Sequence, residues 1–273
     1  MNIDLHCHTS LSDGTLTPAE LLDLAVQRGL DMLSITDHDS VDCYRHLEGL
    51  EHNLRLIRGI EFSTTWRNRA VHIVGLNIDL NNQRLLQGVK QQSTAREERA
   101  VKIAAKLQQL GFDNCLEGAK NQSLGGQIGR PHFAQYLVKI GAVANIQQAF
   151  KKYLGSGKAG DIKEHWASMG EVISWIRNAG GVAVLAHPTK YAMTRTKLCA
   201  LLEDFVALGG ESMEVISGSQ TTSITASMAS LCETYKLLAS CGSDFHSLDQ
   251  PWAALGKVPE LPSNCMPVWT RWQ

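Results

Sequence analysis

Apolar residues recur along this chain in two rhythms. The opening stretch, MNIDLHCHTSLSDGT, alternates, which places His6 and His8 on one face of an extended segment and Leu5 and Cys7 on the other. LTPAELLDLAVQRGL then carries a helical stripe of Leu21, Leu22, Leu24 and Ala25, with Thr17 and Glu20 at capping-box spacing, Pro18 at the first helical position and Gly29 as the stop. MLSITDHD, LRLIRGIEFST and AVHIVGLNI follow as short strands that end in polar residues. The C-terminal part repeats the theme, with helix MGEVISWIRNAG, strand GVAVLAHP, helix KLCALLEDFVALG, strand SMEVISG, helix TASMASLCETY and strand LLASCGSDFH. Strands alternating with helices predict an α/β fold with a mainly parallel sheet, open or closed into a barrel.

The middle breaks this alternation. From 81 to 165 the pattern is helical, with apolar spacing of that kind in TAREERAVKIAAKLQQLGF and PHFAQYLVKIGA. The expected organisation is therefore one barrel-like unit, 1–80 with 166–273, and a helical insertion, 81–165, over the face where the strands end. At 273 residues, 44% hydrophobic and 19% charged, the chain has enough apolar material for one large packed unit. Net charge is only −1, but it is segregated: residues 88–164 hold 12 Lys and Arg against 6 Asp and Glu. Solvated helix faces account for much of that excess. A basic insertion in an otherwise acidic, histidine-rich chain also suits a phosphorylated substrate.

Seven cysteines without a Cys-x-x-Cys pair read as reduced, structural thiols. No apolar run approaches the ~20 residues of a membrane helix, and the first residues read as a strand rather than as a basic, then apolar, leader. The expected setting is the cytoplasm, with no membrane and no obligate protein partner.

The candidate chemistry lies at the ends of the predicted strands: His6, His8 and Asp13; Asp37 and His38 in TDHD; Glu61 in GIEF; His72 in AVHIVG; His187 in LAHP; Asp244 and His246 in SDFH. In α/β barrels that rim is where side chains from separate strands converge. Buried imidazoles and carboxylates without counter-charges are costly, so a shared set of cations is the economical explanation. Nitrogen and carboxylate oxygen without thiolate suit manganese, zinc or iron, and this many donors implies two or three ions.

HCHTSLSDG, TDHD, GIEFS, HIVG, AHP and GSDFH, in this order, resemble the motifs of the PHP (polymerase and histidinol phosphatase) superfamily across nearly the whole chain. GRPHFAQYLV and YLGSGK resemble the branch containing 3',5'-nucleotide bisphosphate phosphatases and a 5'-to-3' exoribonuclease. The resemblance implies a distorted (β/α)7 TIM-like barrel with a helical insertion. It also implies one metal on His6, His8, Glu61 and Asp244, a second on Asp13, His38 and His246, and a third on Glu61, His72 and His187, manganese being the first expectation. Asp37 fits behind these ligands as an acceptor that orients an imidazole. Asp13, His38, His187 and His246 would be catalytic, His187 or His246 protonating the leaving oxygen. Arg130, at a predicted helix N-terminus, is the expected phosphate contact, with His132, Arg96, Arg99 and Lys158 as further candidates. The expected substrates are a 3',5'-bisphosphonucleotide or a 5'-phosphorylated RNA. A histidinol-phosphate-type phosphatase shares the metal centre without the nucleotide pocket, and a nucleic-acid-binding module with a vestigial site should lack ligands, none of which is missing.

Overall fold

The computed structural model describes residues 1–162 and 166–272. Seven strands, β1 (Ile3–Asp4), β2 (Met32–Ile35), β3 (Arg55–Trp66), β4 (Arg69–Leu76), β5 (Val182–Leu185), β6 (Ser212–Ser217) and β7 (Leu238–Gly242), lie side by side in chain order. Neighbours are parallel except that β4 runs against both β3 and β5. The sheet is a mixed, nearly closed α/β barrel. Its edges meet where Leu5 donates to the Cys241 carbonyl at 3.1 Å, Asp244 to that of His6 at 2.8 Å and His8 to that of Phe245 at 2.9 Å. The wholly buried Asp4 carboxylate fastens this seam by accepting from the Ser243 and Gly256 amides, each at 2.8 Å.

Helices α1 (Pro18–Gln27), α6 (Met169–Asn178), α7 (Arg195–Ala207) and α8 (Thr222–Thr234) cover the barrel. The capping box read at Thr17 and Glu20 is formed, with the Thr17 amide donating to Glu20 Oε2 at 2.8 Å. No helix among the described residues is long and apolar enough to cross a membrane.

Between β4 and α6 the chain forms α2 (Gln83–Gln109), α3 (Cys115–Gln122), α4 (Arg130–Lys139), the short α5 (Ile146–Ala149) and a π-helical turn, Phe150–Leu154. These helices enclose an apolar cluster of their own around Ile103, Leu107, Phe133, Leu137 and Leu154, separate from the barrel core. Among the described residues, α2 is the helix that serves both. Its buried stripe begins against the barrel at Leu85 and Gly88, where a Cβ on Gly88 would lie 2.4 Å from the Trp175 ring, and ends in the second cluster at Ala100, Ile103 and Leu107. Gln92 and Arg96, two polar residues, occupy the stripe between. The expected end of the insertion, at residue 165, lies outside the described residues.

One expectation about the rim needs correction. Glu61 and His72 are not at strand ends; Glu61 is inside β3 and His72 inside β4, in a hairpin that continues to the tight turn at Arg67 and Asn68. Because β4 is reversed, its first half, not its last, reaches the rim. The register pairs Glu61 with Val74 and Ser63 with His72, so Glu61 and His72 are diagonal neighbours on one face.

Gly242 marks the tightest approach at the seam: a Cβ there would stand 2.3 Å from the His6 Cβ and 2.7 Å from its backbone nitrogen. Gly242→Ala therefore forces the barrel edges apart, and we expect a loss of about 1–3 kcal/mol, measured as a lowered denaturation midpoint.

Candidate metal centre

Glu61 is wholly buried at the rim with imidazoles on every side. Its Oε2 lies 3.4 Å from His6 Nε2 and 3.4 Å from His8 Nε2. Those two nitrogens are 3.1 Å apart, and Asp244 Oδ1 is 3.4 Å and 3.3 Å from them. Tetrahedral donors at about 2.0–2.2 Å from one ion stand roughly 3.3–3.6 Å from each other, close to the separations of 3.1–3.4 Å here, so these four fit a shared cation. A second set surrounds Asp13, whose Oδ1 is 3.3 Å from His246 Nε2 and 3.9 Å from His8 Nδ1, and whose Oδ2 is 3.6 Å from His38 Nε2. In the third, Glu61 Oε1 lies 2.9 Å from His72 Nδ1 and 2.8 Å from His187 Nε2. His38 joins two sets, its Nδ1 lying 2.9 Å from Glu61 Oε2. Glu61 Oε2 and Asp13 Oδ1 are buried oxygens with no hydrogen-bond donor, an expensive arrangement that a divalent cation relieves.

Local backbone geometry delivers these groups. His187 and Asp244 follow β5 and β7 in the left-handed region, with φ of 26° and 55°, as does Asp39 at 52°. Non-glycine residues there carry strain of the kind found at functional sites. Asp13 is brought under His8 by a turn in which a Cβ on Gly14 would lie 2.3 Å from the His8 carbonyl oxygen.

Residues 4–181 match the PHP domain family. This chain belongs to that family. A 5'-3' exoribonuclease of Haemophilus influenzae is 41% identical to it, the match covering 98% of both chains. A 3',5'-nucleoside bisphosphate phosphatase of Chromobacterium violaceum is 39% identical over 98% of this chain and 95% of its own. A solved amidohydrolase from Chromobacterium violaceum, with bound sulfate and no metal, superposes with a TM-score of 0.91 at 38% identity, covering 99% of this chain and 95% of its own.

In this PHP chain the rim is strongly polarised. Burial works against charge on Asp13, Glu61 and Asp244, yet the surrounding imidazoles outweigh it and hold all three well below the usual carboxylate range. Burial, reinforced by the facing His246, pushes His8 down to about 3, and burial also lowers His72. At His6, His38 and His246 burial is overcome by neighbouring carboxylates, which raise all three; Asp13 and Asp244 push His246 up to about 9. Without a cation, the rings that these carboxylates favour for protonation are His6, His38 and His246.

Glu214, in β6, was not legible from the pattern. Its Oε1 lies 2.5 Å from His6 Nδ1 and its Oε2 accepts from the His187 amide at 2.7 Å, so one carboxylate orients two candidate ligands. The only signal was an acid inside a wholly buried strand, SMEVIS. Asp37 makes its bonds with the Thr9 amide, the Thr9 hydroxyl and the Ser12 hydroxyl at 2.6–2.7 Å. It reaches an imidazole only through Ser12, whose Oγ is 3.5 Å from His8 Nδ1. Two further additions follow β5: Lys190 pairs with Asp244, and the Tyr191 hydroxyl accepts from the His72 amide at 2.8 Å.

The basic residues divide. Arg99, Arg130 and Lys158 line a cleft of about 1010 Å³ whose lining also includes Lys190 and Tyr191. Arg130, at the first turn of α4, donates to the Leu154 carbonyl at 3.3 Å and faces Asp161 at 3.6 Å. The buried His132 accepts the Gly129 amide on Nδ1 at 2.9 Å, which leaves its proton on Nε2. Arg96 is not on this cleft; it is buried and paired with Asp39 at 2.6 Å.

Metal binding must displace protons from the raised rings. Titrating chelator-stripped protein with Mn(II) near neutral pH, in two buffers of different ionisation enthalpy, should give heats that differ by a net proton release. Identical heats in both buffers would contradict the protonated rim.

Proposed function

We propose that this chain cleaves the phosphate linkage on the 3' side of a 5'-phosphorylated nucleotide. The observation that carries the reading is adjacency: the rim of imidazoles and carboxylates around Glu61 meets a cationic cleft at Lys190 and Tyr191, each of which also contacts the rim. His6, His8, Glu61 and Asp244 would hold one divalent ion, Asp13, His38 and His246 a second, and Glu61, His72 and His187 a third. Manganese is the first choice, with zinc or iron as alternatives, because the donors are nitrogen and carboxylate oxygen. Bound there, such ions lower the pKa of water and neutralise phosphoryl oxygens.

The chain's own groups position the substrate. Arg130, with Arg99 and Lys158 along the same cleft, grips the 5'-phosphate, since a planar guanidinium offers paired donors to phosphate oxygens. His132 adds a neutral Nε2–H whose tautomer the Gly129 amide fixes. Phosphate held by the insertion places the next linkage over the barrel rim, and the Nδ1 side of His187, left free when Nε2 faces Glu61, is the group that returns a proton to the departing ribose oxygen, with His246 as the alternative. When that linkage ends in a free phosphate, the products are a nucleoside 5'-monophosphate and phosphate. When it continues into RNA, the same cut removes the 5'-terminal nucleotide. The names of the two relatives, a bisphosphate phosphatase and an exoribonuclease, describe those two outcomes. All seven cysteines are free, which supports a reducing, cytoplasmic setting.

The deciding experiment offers Mn(II)-loaded protein adenosine 3',5'-bisphosphate, a short 5'-phosphorylated RNA and the same RNA with a 5'-hydroxyl. The first two should be cut and the third much more slowly; equal rates on both RNAs would rule out the 5'-phosphate grip. Asp244→Ala should abolish both activities, and survival of either one would rule out a shared centre. Arg130→Ala should remove a charged hydrogen bond worth about 1.5–3 kcal/mol, seen as a fall of roughly 10- to 150-fold in kcat/KM on both phosphorylated substrates.

A further inference from the structure

Two residues one turn apart on α2, Gln92 and Arg96, leave the insertion and enter the barrel. Arg96 Nε donates to Asp39 Oδ2 at 2.6 Å, and its terminal nitrogen donates to Ser63 Oγ at 3.0 Å. Gln92 Nε2 donates to Asp39 Oδ1 at 3.0 Å and to the Ser63 carbonyl at 2.5 Å, while its Oε1 accepts the Ala167 amide at 3.1 Å. The Ser63 amide completes the cluster by donating to Asp39 Oδ1 at 2.8 Å.

The positions joined here decide what the cluster does. Asp39 follows His38, and residues 37–39 run beside β3, the Glu61 amide donating to the Asp37 carbonyl at 3.2 Å and the Asp39 amide to the Glu61 carbonyl at 2.8 Å. Ser63 is two residues from Glu61 and is the register partner of His72. The Asp39 carboxylate therefore ties together the backbone segments that carry His38, Glu61 and His72. Asp39 is fully buried in a left-handed conformation, φ 52°, and Arg96 is only 6% exposed. A buried ion pair seldom improves stability over an apolar substitute, and such strain is retained where geometry matters. The Arg96 guanidinium also stands 5.5 Å from the centre of the Trp166 ring, which lines the cleft. The cluster thus connects a wall of the substrate cleft to the segments bearing His38, Glu61 and His72.

We propose that Asp39, Arg96 and Gln92 form a positioning device through which the docked insertion holds His38 and Glu61 in metal-binding geometry. Arg96 then acts on the reaction through Asp39 and is not a phosphate contact. The proposal rests on the metal-centre reading above but not on the identity of the substrate.

The test compares wild type, Arg96→Gln, Arg96→Lys and Asp39→Asn by Mn(II) titration calorimetry and by kinetics on adenosine 3',5'-bisphosphate. Changes behind metal ligands typically cost about 10- to 100-fold in metal affinity. Arg96→Gln and Asp39→Asn should show a loss of that size for at least one ion, kcat should fall at limiting Mn(II) and recover at high Mn(II), and KM should stay within about twofold. Arg96→Lys, which keeps the charge and one donor, should regain part of the loss. Raised KM with unchanged kcat and Mn(II) affinity would make Arg96 a phosphate contact and overturn the proposal. A lowered melting temperature with Mn(II) affinity and kcat intact would make the cluster purely structural and overturn it equally. If wild type cuts neither the bisphosphonucleotide nor RNA, the substrate reading fails, while the calorimetric comparison still decides this one.

Discussion

The structure is organised around a single buried carboxylate. Glu61 lies in the barrel wall with no solvent exposure, and both of its oxygens face imidazole nitrogens from four separate segments of the chain. Isolated in that position an anion would be prohibitively costly, so the surrounding chain is arranged to supply positive charge. The long β3 carries Glu61 to the rim, the reversed β4 returns His72 beside it, and the turns after β5 and β7 accept strained backbone to bring in His187 and Asp244. Behind them Glu214 and Asp4 keep the supporting strands in register.

The insertion answers a second requirement. In the function proposed above, the rim engages the linkage to be cut, and substrate selection falls to a separate surface at fixed distance from it. The four helices and the π-helical turn build that surface on their own apolar cluster, so its shape does not depend on the barrel core. Their placement rests on the packing of α2 at Leu85 and Gly88 against the barrel and on polar contacts: Gln92 and Arg96 reach Asp39 and Ser63, and the Gln127 amide donates to the Leu11 carbonyl in the turn that carries Asp13. Directional bonds of this kind fix orientation more narrowly than apolar packing does. The insertion is therefore tied to the two loops that hold His38 and Asp13.

Much of this was legible in the amino-acid pattern because it is local. Alternation put His6 and His8 on one face, the Thr17–Glu20 box started α1, and helical spacing separated the insertion from the strands around it. Residue chemistry alone pointed to divalent metals, since histidine and carboxylate accumulated where strands end and cysteine did not. Tertiary structure decided whatever depends on which segments meet. The direction of β4 is invisible in a short apolar run, yet it determines that His72 reaches the rim from the start of its strand. Glu214 looked like one acid in one strand until the barrel closed and placed it against His6, 208 residues away. Arg96 and Arg99, three residues apart on the same helix, were equivalent as charges in the sequence. Burial against Asp39 separated them, because a guanidinium's role follows from the carboxylate it faces, and that neighbour comes from the other side of the fold.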